Sequence, residues 1–295
     1  MRILLTGASG FIGGHLLRHL AGAHEVYTLV RRPPAVTLPG VYYVEQDLSQ
    51  PLDPARLPGQ FDAVIHQAAL IHTEQQDDSQ AFAVNVVATW HLLKFAQAVG
   101  VRTFVHASTG GVYGCRNQPF VETDPFNPLD LYSLTKAQAE LAVQAAPGTF
   151  HKIILRYFFP YGVGTPNPIP TYVQSALTGD PIQVLQSGKP LFNPLHIADA
   201  VEATLRAVNL AQSAVINIAG AEMTTFQAIA EMAADLAQRK PNFAFIPDEN
   251  AIPYYRSDLV ADISRMQVLL SFTPEITLEK GIAELTHYYL QQIKT

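Results

Sequence analysis

Short apolar runs alternate with longer stretches of helical period through the first half of this chain. Runs at 2–6, 25–30, 42–45, 63–66, 103–107 and 152–155 are dense in Ile, Leu, Val and aromatic residues, which predicts strands. Between them, 11–20, 80–99 and 131–145 carry Leu, Ala and Val at spacings of three and four, with Gly or Pro close beyond each end, which predicts helices. Strand and helix in alternation predict βαβ units feeding a parallel sheet. From Tyr157 onward the pattern changes, because Pro160, Pro166, Pro168, Pro170, Pro181, Pro190 and Pro194 cut the chain into shorter elements. A second region is expected there, with helices at 169–178, 197–208 and 226–239. No internal repeat and no low-complexity segment is visible.

Composition narrows the classes. With 295 residues, 48% hydrophobic and 15% charged, the chain can bury one large core or two joined ones. A formal charge of -6 gives no general attraction to nucleic acid or anionic lipid, so neither is an expected partner and a phosphorylated ligand must be held locally. One cysteine, Cys115, rules out an internal disulfide and a thiolate metal cluster within one chain, which suits a reducing cytoplasm; no metal is expected. No secretion signal is visible at Met1–Thr6, and no apolar stretch reaches the roughly 20 residues that span a bilayer.

Chemistry begins right after the first strand. Thr6-Gly7-Ala8-Ser9-Gly10-Phe11-Ile12-Gly13 closes that strand and opens the first helix. Glycine permits the tight turn and the close approach of backbone to a pyrophosphate, whose charge the exposed amides and the positive helix end receive. Gly7, Ser9, Gly10, Phe11, Ile12 and Gly13 are therefore candidate cofactor-binding residues. Tyr132 and Lys136 form the only Tyr-x-x-x-Lys of the chain, inside a predicted helix, and a spacing of four puts both on one face. A phenol with an ordinary pKa near 10 exchanges protons near neutrality only if a cation favours its phenolate, and Lys136 is placed to supply that field.

The spacing GxxGxxG after Thr6, with the Tyr/Lys pair downstream, resembles the extended short-chain dehydrogenase/reductase family, which includes sugar-nucleotide epimerases, dehydratases and reductases. Ile154-Leu155-Arg156-Tyr157-Phe158, Leu195-His196-Ile197-Ala198-Asp199 and Asn217-Ile218-Ala219-Gly220 match further family landmarks in order. The resemblance implies a Rossmann-type doubly wound parallel sheet over 1–157. A smaller mixed α/β substrate-binding region would occupy 158–295, its segment near 194–220 returning to pack on the first domain. It implies adenine contacts from Asp47 and Leu48, small residues against the cofactor at Ala68 and Ala69, an ordering role for Asn85, and Tyr157 and Phe158 near the nicotinamide. It selects Thr109, with Ser108 as the alternative, to orient the substrate beside Tyr132, and Arg256 as a diphosphate contact. By the same analogy two copies pair through helices 80–99 and 131–145 as a homodimer.

Departures from the family bear on specificity. Phe159 stands where sugar-nucleotide members commonly carry Asn, and Phe192 where they often carry Arg. Gly110 and Gly111 occupy the places of the dehydratases' Asp-Glu, so dehydration is not expected. The second strand ends Val30-Arg31-Arg32, without the acidic residue that accepts from the ribose hydroxyls in NAD-preferring members; two guanidinium groups suit a 2′-phosphate instead. NADP is favoured and NAD remains possible. The expected reaction is hydride transfer between a nicotinamide and a carbonyl or carbinol carbon of a sugar-nucleotide or similar small substrate, with Thr109, Tyr132 and Lys136 as the catalytic set. An NAD-retaining nucleotide-sugar 4-epimerase and a non-catalytic dinucleotide-binding protein are the alternatives. Substrate choice is expected to lie in the loops at 70–78, 160–195 and 245–258.

Overall fold

The computed structural model describes residues 1–71, 77–250 and 256–293, so two of those substrate loops fall partly outside the described residues, at 72–76 and 251–255. The first half alternates as expected: β1 (Arg2–Thr6), α1 (Phe11–Leu20), β2 (Glu25–Val30), β3 (Val41–Glu45), β4 (Ala63–His66), α2 (Asp78–Phe82), α3 (Ala88–Val99), β5 (Thr103–Thr109), α4 (Leu131–Ala145) and β6 (His151–Tyr157). Then follow β7 (Pro160–Tyr161), α5 (Ile169–Thr178), β8 (Pro181–Leu185), β9 (Leu195–His196), α6 (Ile197–Val208), β10 (Ala214–Ile218), α7 (Phe226–Leu236), β11 (Asn242–Ile246), α8 (Ser264–Leu270) and α9 (Leu278–Ile293).

Seven strands form one sheet in the order β10-β6-β5-β4-β1-β2-β3, and the β1–β2, β1–β4, β2–β3 and β4–β5 pairings are parallel. This is the expected Rossmann-type arrangement, in which strand order reverses beside β1 and ligands bind at the carboxyl ends of the strands. Ile3, Leu4 and Leu5 of β1 are fully buried, which is why that strand reads as an uninterrupted apolar run. Two short parallel pairs, β8 with β11 and β7 with β9, lie apart from the main sheet.

The chain divides into two compact units. One comprises residues 1–112, 126–156 and 201–216, with Leu4, Leu29, Val64, Leu92, Phe104 and Ile154 in its core. The other comprises 113–125, 157–200 and 217 onward, where Ile169, Val173, Phe226, Ile229, Ile282 and Leu285 bring α5, α7 and α9 together. Among the described residues, no helix is long and apolar enough to cross a membrane.

Several elements depart from the sequence expectation. The single helix expected over 80–99 is instead α2, a π-helical turn at Ala83–Val87, and α3, because the turn widens to carry the buried side chain of Asn85. β5 and β6 run past their apolar cores to Thr109 and Tyr157, since Ser108 and Arg156 are buried polar residues with partners inside the protein. The helix expected to reach 239 stops at Leu236, and Gln238 takes a left-handed φ of 53.

Candidate active site

Gly7 sets the geometry where β1 meets α1. Its φ is +76, and a Cβ there would stand 2.5 Å from the backbone N of Ala68. A Cβ on Gly13 would meet the carbonyl O of Gly7 at 2.1 Å, so that glycine lets α1 start directly over the loop. Gly10 N–H donates to Gly7 O at 2.9 Å. No side chain caps α1 and no acidic residue lies in its first turn, so its amides and positive end stay available to an anion.

Around this loop lies a cavity of about 350 Å³. Gly7, Ser9 and Gly10 form one wall, Asp47 and Leu48 another, and Ala68 and Ala69 a third; all were expected at a cofactor. Arg31 also lines it, whereas Arg32, equally exposed, does not. Asp47 accepts from Ser49 N at 2.9 Å, and this bond holds its carboxyl below the usual range. Gln46, Gln67 and Gln80 line the cavity and carried no sequence signal, since a lone Gln marks neither a turn nor a motif. Phe11, Ile12, Gly13 and Asn85 lie outside this cavity. The residues fit a dinucleotide: Gly7 and Gly10 line the cavity without side chains, and the backbone contacts that Gly7 and Gly13 permit bring an uncapped helix start beside it.

The Tyr/Lys helix is α4, whose Asp130 N-cap accepts from Ser133 N at 2.6 Å. Tyr132 is half-buried and Lys136 is 1% exposed. Burial pushes the Tyr132 phenol up to about 12, helped by Asp130, and pushes the Lys136 ammonium down to about 7, opposed by Glu140. The sequence expectation gives Lys136 the lowering of the phenol pKa; here burial and Asp130 raise the phenol, and burial lowers the ammonium.

A buried hydrogen-bond network runs from the glycine loop to this helix. His66 meets Thr6 Oγ1 through Nδ1 at 2.7 Å and Thr89 Oγ1 through Nε2 at 2.9 Å. Thr89 donates to Asn85 O, the Asn85 amide donates to Thr135 Oγ1 at 2.9 Å, and Thr135 donates to Tyr132 O at 2.8 Å. Asn85 also accepts from Leu70 N and donates to Leu70 O, so its direct partners are Leu70 and Thr135. Burial holds His66 down to about 3 and keeps it neutral.

Thr109 ends β5 half-buried, its Oγ1 accepting from Gly111 N at 3.1 Å. A Cβ on Gly111 would stand 2.4 Å from Ser133 Oγ, so no side chain fits there while Ser133 keeps its place. Ser108, the alternative to Thr109, is 4% exposed and donates its hydroxyl to the buried carboxylate of Glu140, which turns it inward instead of toward a substrate. Glu140 and its partner Arg156 were missed by sequence reasoning, although a Glu four residues past Lys136 was the available signal.

In the other unit, Tyr157 and Phe158 are buried at 5% and 1% exposure. Phe159 and Phe192 lie in contact, ring centroids 4.6 Å apart, so the two aromatic departures fall together; Phe159 adopts a left-handed φ of 41, which costs about 1–2 kcal/mol. Arg256 is exposed and donates to Glu249 O at 2.9 Å. Among the described residues, no group of His, Cys, Asp and Glu is placed to hold a metal ion.

A parallel sheet with a glycine cradle at its switch point and a Tyr-x-x-x-Lys helix defines an extended short-chain dehydrogenase/reductase enzyme. The chain belongs to the NAD dependent epimerase/dehydratase family, whose pattern it matches over residues 3–219. It is 26% identical to UDP-N-acetyl-alpha-D-glucosaminuronate decarboxylase of Bacillus cytotoxicus, covering 98% of this chain and 97% of that one. Among solved structures it resembles MoeE5 in complex with UDP-glucuronic acid and NAD (29% identity, TM-score 0.86, 99% and 100% covered). UDP-glucuronic acid 4-epimerase from Bacillus cereus, in complex with UDP-glucuronic acid and NAD, aligns at 25% identity and TM-score 0.86, with 99% and 100% covered.

Proposed function

We propose that this enzyme transfers hydride between a nicotinamide dinucleotide and a carbonyl or carbinol carbon of a sugar-nucleotide, with Thr109, Tyr132 and Lys136 as its catalytic set. The observation that carries the reading is the buried network joining Thr6 of the glycine loop to Tyr132 of α4, which couples cofactor docking to the acid/base helix. When bound, the nicotinamide supplies an acceptor and donor of hydride. Gly7, Ser9 and Gly10 would hold its pyrophosphate at the helix start formed by Phe11, Ile12 and Gly13, Asp47 and Leu48 would hold its adenine, and Ala68 and Ala69 would give the backbone room beside it. Asn85 supports the site from beneath, while Tyr157 and Phe158 face the nicotinamide end.

Thr109 orients the substrate oxygen, Tyr132 gives or takes its proton, and Lys136 holds the cofactor ribose and, when protonated, favours the phenolate. The region from 158 to 295 binds the rest of the substrate, with Arg256 toward its phosphates. A glycine closed off by Ser133 at position 111 leaves no place for a dehydratase's acid, which argues against elimination.

Replacing Tyr132 with Phe lowers turnover by about 10²–10⁴-fold with dinucleotide affinity nearly unchanged; UDP-glucuronic acid and UDP-glucose serve as first substrates. Retained turnover would falsify the mechanism. A 4-epimerase is the second reading, favoured by the likeness to the Bacillus cereus enzyme. Purified protein that retains stoichiometric NAD through gel filtration supports it; an empty site that prefers NADPH supports net reduction.

For the cofactor, the reading is NADP, with Arg31 at the 2′-phosphate, since Arg31 lines the cavity and β2 ends without a carboxylate. The assembly is a homodimer through α3 and α4, supported by the exposure of Val87, Trp90, Leu134 and Leu141. Its setting is the cytoplasm, in keeping with a chain whose one cysteine, Cys115, has no second cysteine in the chain to pair with.

A further inference from the structure

The stripe of α4 that carries Tyr132 and Lys136 continues one turn further to Glu140, which is fully buried. A carboxylate taken out of water persists as an anion only where its charge is met. Arg156 of β6 meets it, with Nε 3.0 and 3.1 Å from the two oxygens and Nη2 2.6 Å from Oε2, and the guanidinium stacks over Phe126 at 5.1 Å. That ion pair would satisfy a purely structural brace. Glu140 also accepts a short hydrogen bond from Ser108 Oγ, on the residue preceding Thr109. One carboxylate thus ties α4 to β5 and β6 directly behind the acid/base residues.

We propose that Glu140 is a positioning residue of the active site, holding the β5 end that presents Thr109 against the helix of Tyr132, one turn along from Lys136. The inference rests on the proposed roles of Thr109, Tyr132 and Lys136.

Among the described residues, the charged and titratable groups around Lys136 and its neighbours come from β4, β5, β6 and α4, with Arg156 of β6 paired to Glu140. His66 of β4 and His106 of β5 lie in register, rings 5.3 Å apart, and both are neutral through burial. Asp130, at the start of α4, acts on Tyr132. Glu140 opposes the burial that strips Lys136 of its proton. Removing that anion moves the Lys136 midpoint down, because the ammonium loses its favourable neighbour while its desolvation stays.

Two variants test this without a substrate, so the outcome is separate from that of the Tyr132 experiment. Glu140→Gln removes the anion and keeps the Arg156 cation, whereas Glu140→Gln combined with Arg156→Met removes both charges of the pair and serves as its control. In protein labelled with ¹³C-lysine, the Lys136 Cε resonance is assigned by its loss in Lys136→Met and titrated with and without NADP. Its midpoint falls by about one unit in Glu140→Gln and by less in the double variant. Ser108→Ala leaves that midpoint in place but raises the exchange rate of the Gly111 amide, which donates to Thr109 Oγ1, by about tenfold; Ser108→Thr restores it. An unmoved Lys136 midpoint in folded Glu140→Gln, or unchanged Gly111 exchange in Ser108→Ala, overturns the proposal. If Glu140→Gln does not fold, the Ser108 pair decides alone.

Discussion

Arg31 faces the dinucleotide cavity while Arg32, its neighbour, lies outside it. Successive residues leaving a strand point in different directions, so a pair of arginines offers one guanidinium to the ligand and one to solvent. Under the NADP reading, Arg31→Ala weakens NADP binding about tenfold, changes NAD binding little, and leaves Arg32→Ala near wild type; fluorescence titration with each reduced dinucleotide measures this. Equal losses for both cofactors would place Arg31 on the pyrophosphate side instead. Ser108 and Thr109 divide in the same way. One hydroxyl points into the protein to Glu140, the other remains half-exposed, and adjacent strand residues do face opposite sides of a sheet.

Among the elements, the π-helical turn with α3, and α4, leave apolar side chains uncovered: Val87 and Trp90 at 46% and 40% exposure, Leu134 and Leu141 at 38% and 53%. Leu134 and Leu141 are two turns apart and share a face of α4, as a helix–helix seam requires. The dimer reading expects Leu141→Glu with Trp90→Glu to give a monomer by light scattering at micromolar concentration, with far-ultraviolet dichroism unchanged. As the chain has one tryptophan, the emission of Trp90 in the wild type also shifts to longer wavelength on dilution through the dissociation range. A wild-type protein that is monomeric throughout would remove the reading. The π-helical turn at Ala83–Val87 belongs to this scale as well: it widens the helix so that Asn85 reaches both the Leu70 backbone and Thr135.

For the molecule as a whole, buried bases shape the response to pH, His66, His106 and Lys136 among them. His66 is held down to about 3 against an ordinary 6.5, His106 is held low too, and Lys136 is held down to about 7 against 10.5. In each window the unfolded chain binds more protons than the folded one, so stability rises with pH and is lost as pH falls. Urea unfolding is expected to show a clear loss from pH 6.5 toward 4, about 1.4 kcal/mol per unit for each histidine, and a gain from pH 7 toward 9. Lys136→Met removes the second dependence and stabilises the fold at pH 7 by on the order of 2 kcal/mol, even as it abolishes turnover, because a buried ammonium is kept for chemistry at a cost in stability. A flat profile between pH 7 and 9 in the wild type would show that Lys136 keeps an ordinary pKa.

Much of the candidate site is legible in the sequence. Gly7, Gly10 and Gly13 and the Tyr132/Lys136 pair depend only on local rules, a turn that admits no Cβ and a helix that aligns every fourth residue, and local rules are written in consecutive positions. The strands of the first unit were equally readable, since burial on both faces leaves uninterrupted apolar runs. What the tertiary structure decided depends on which elements become neighbours. The sheet order β10-β6-β5-β4-β1-β2-β3 sets His66 beside His106, Ser108 and Arg156 around Glu140, and Thr6 within reach of His66. These partners are distant in the chain, and a buried polar residue carries no periodicity that names its partner. Only folding, which must satisfy every charge and hydrogen bond removed from water, brings them together.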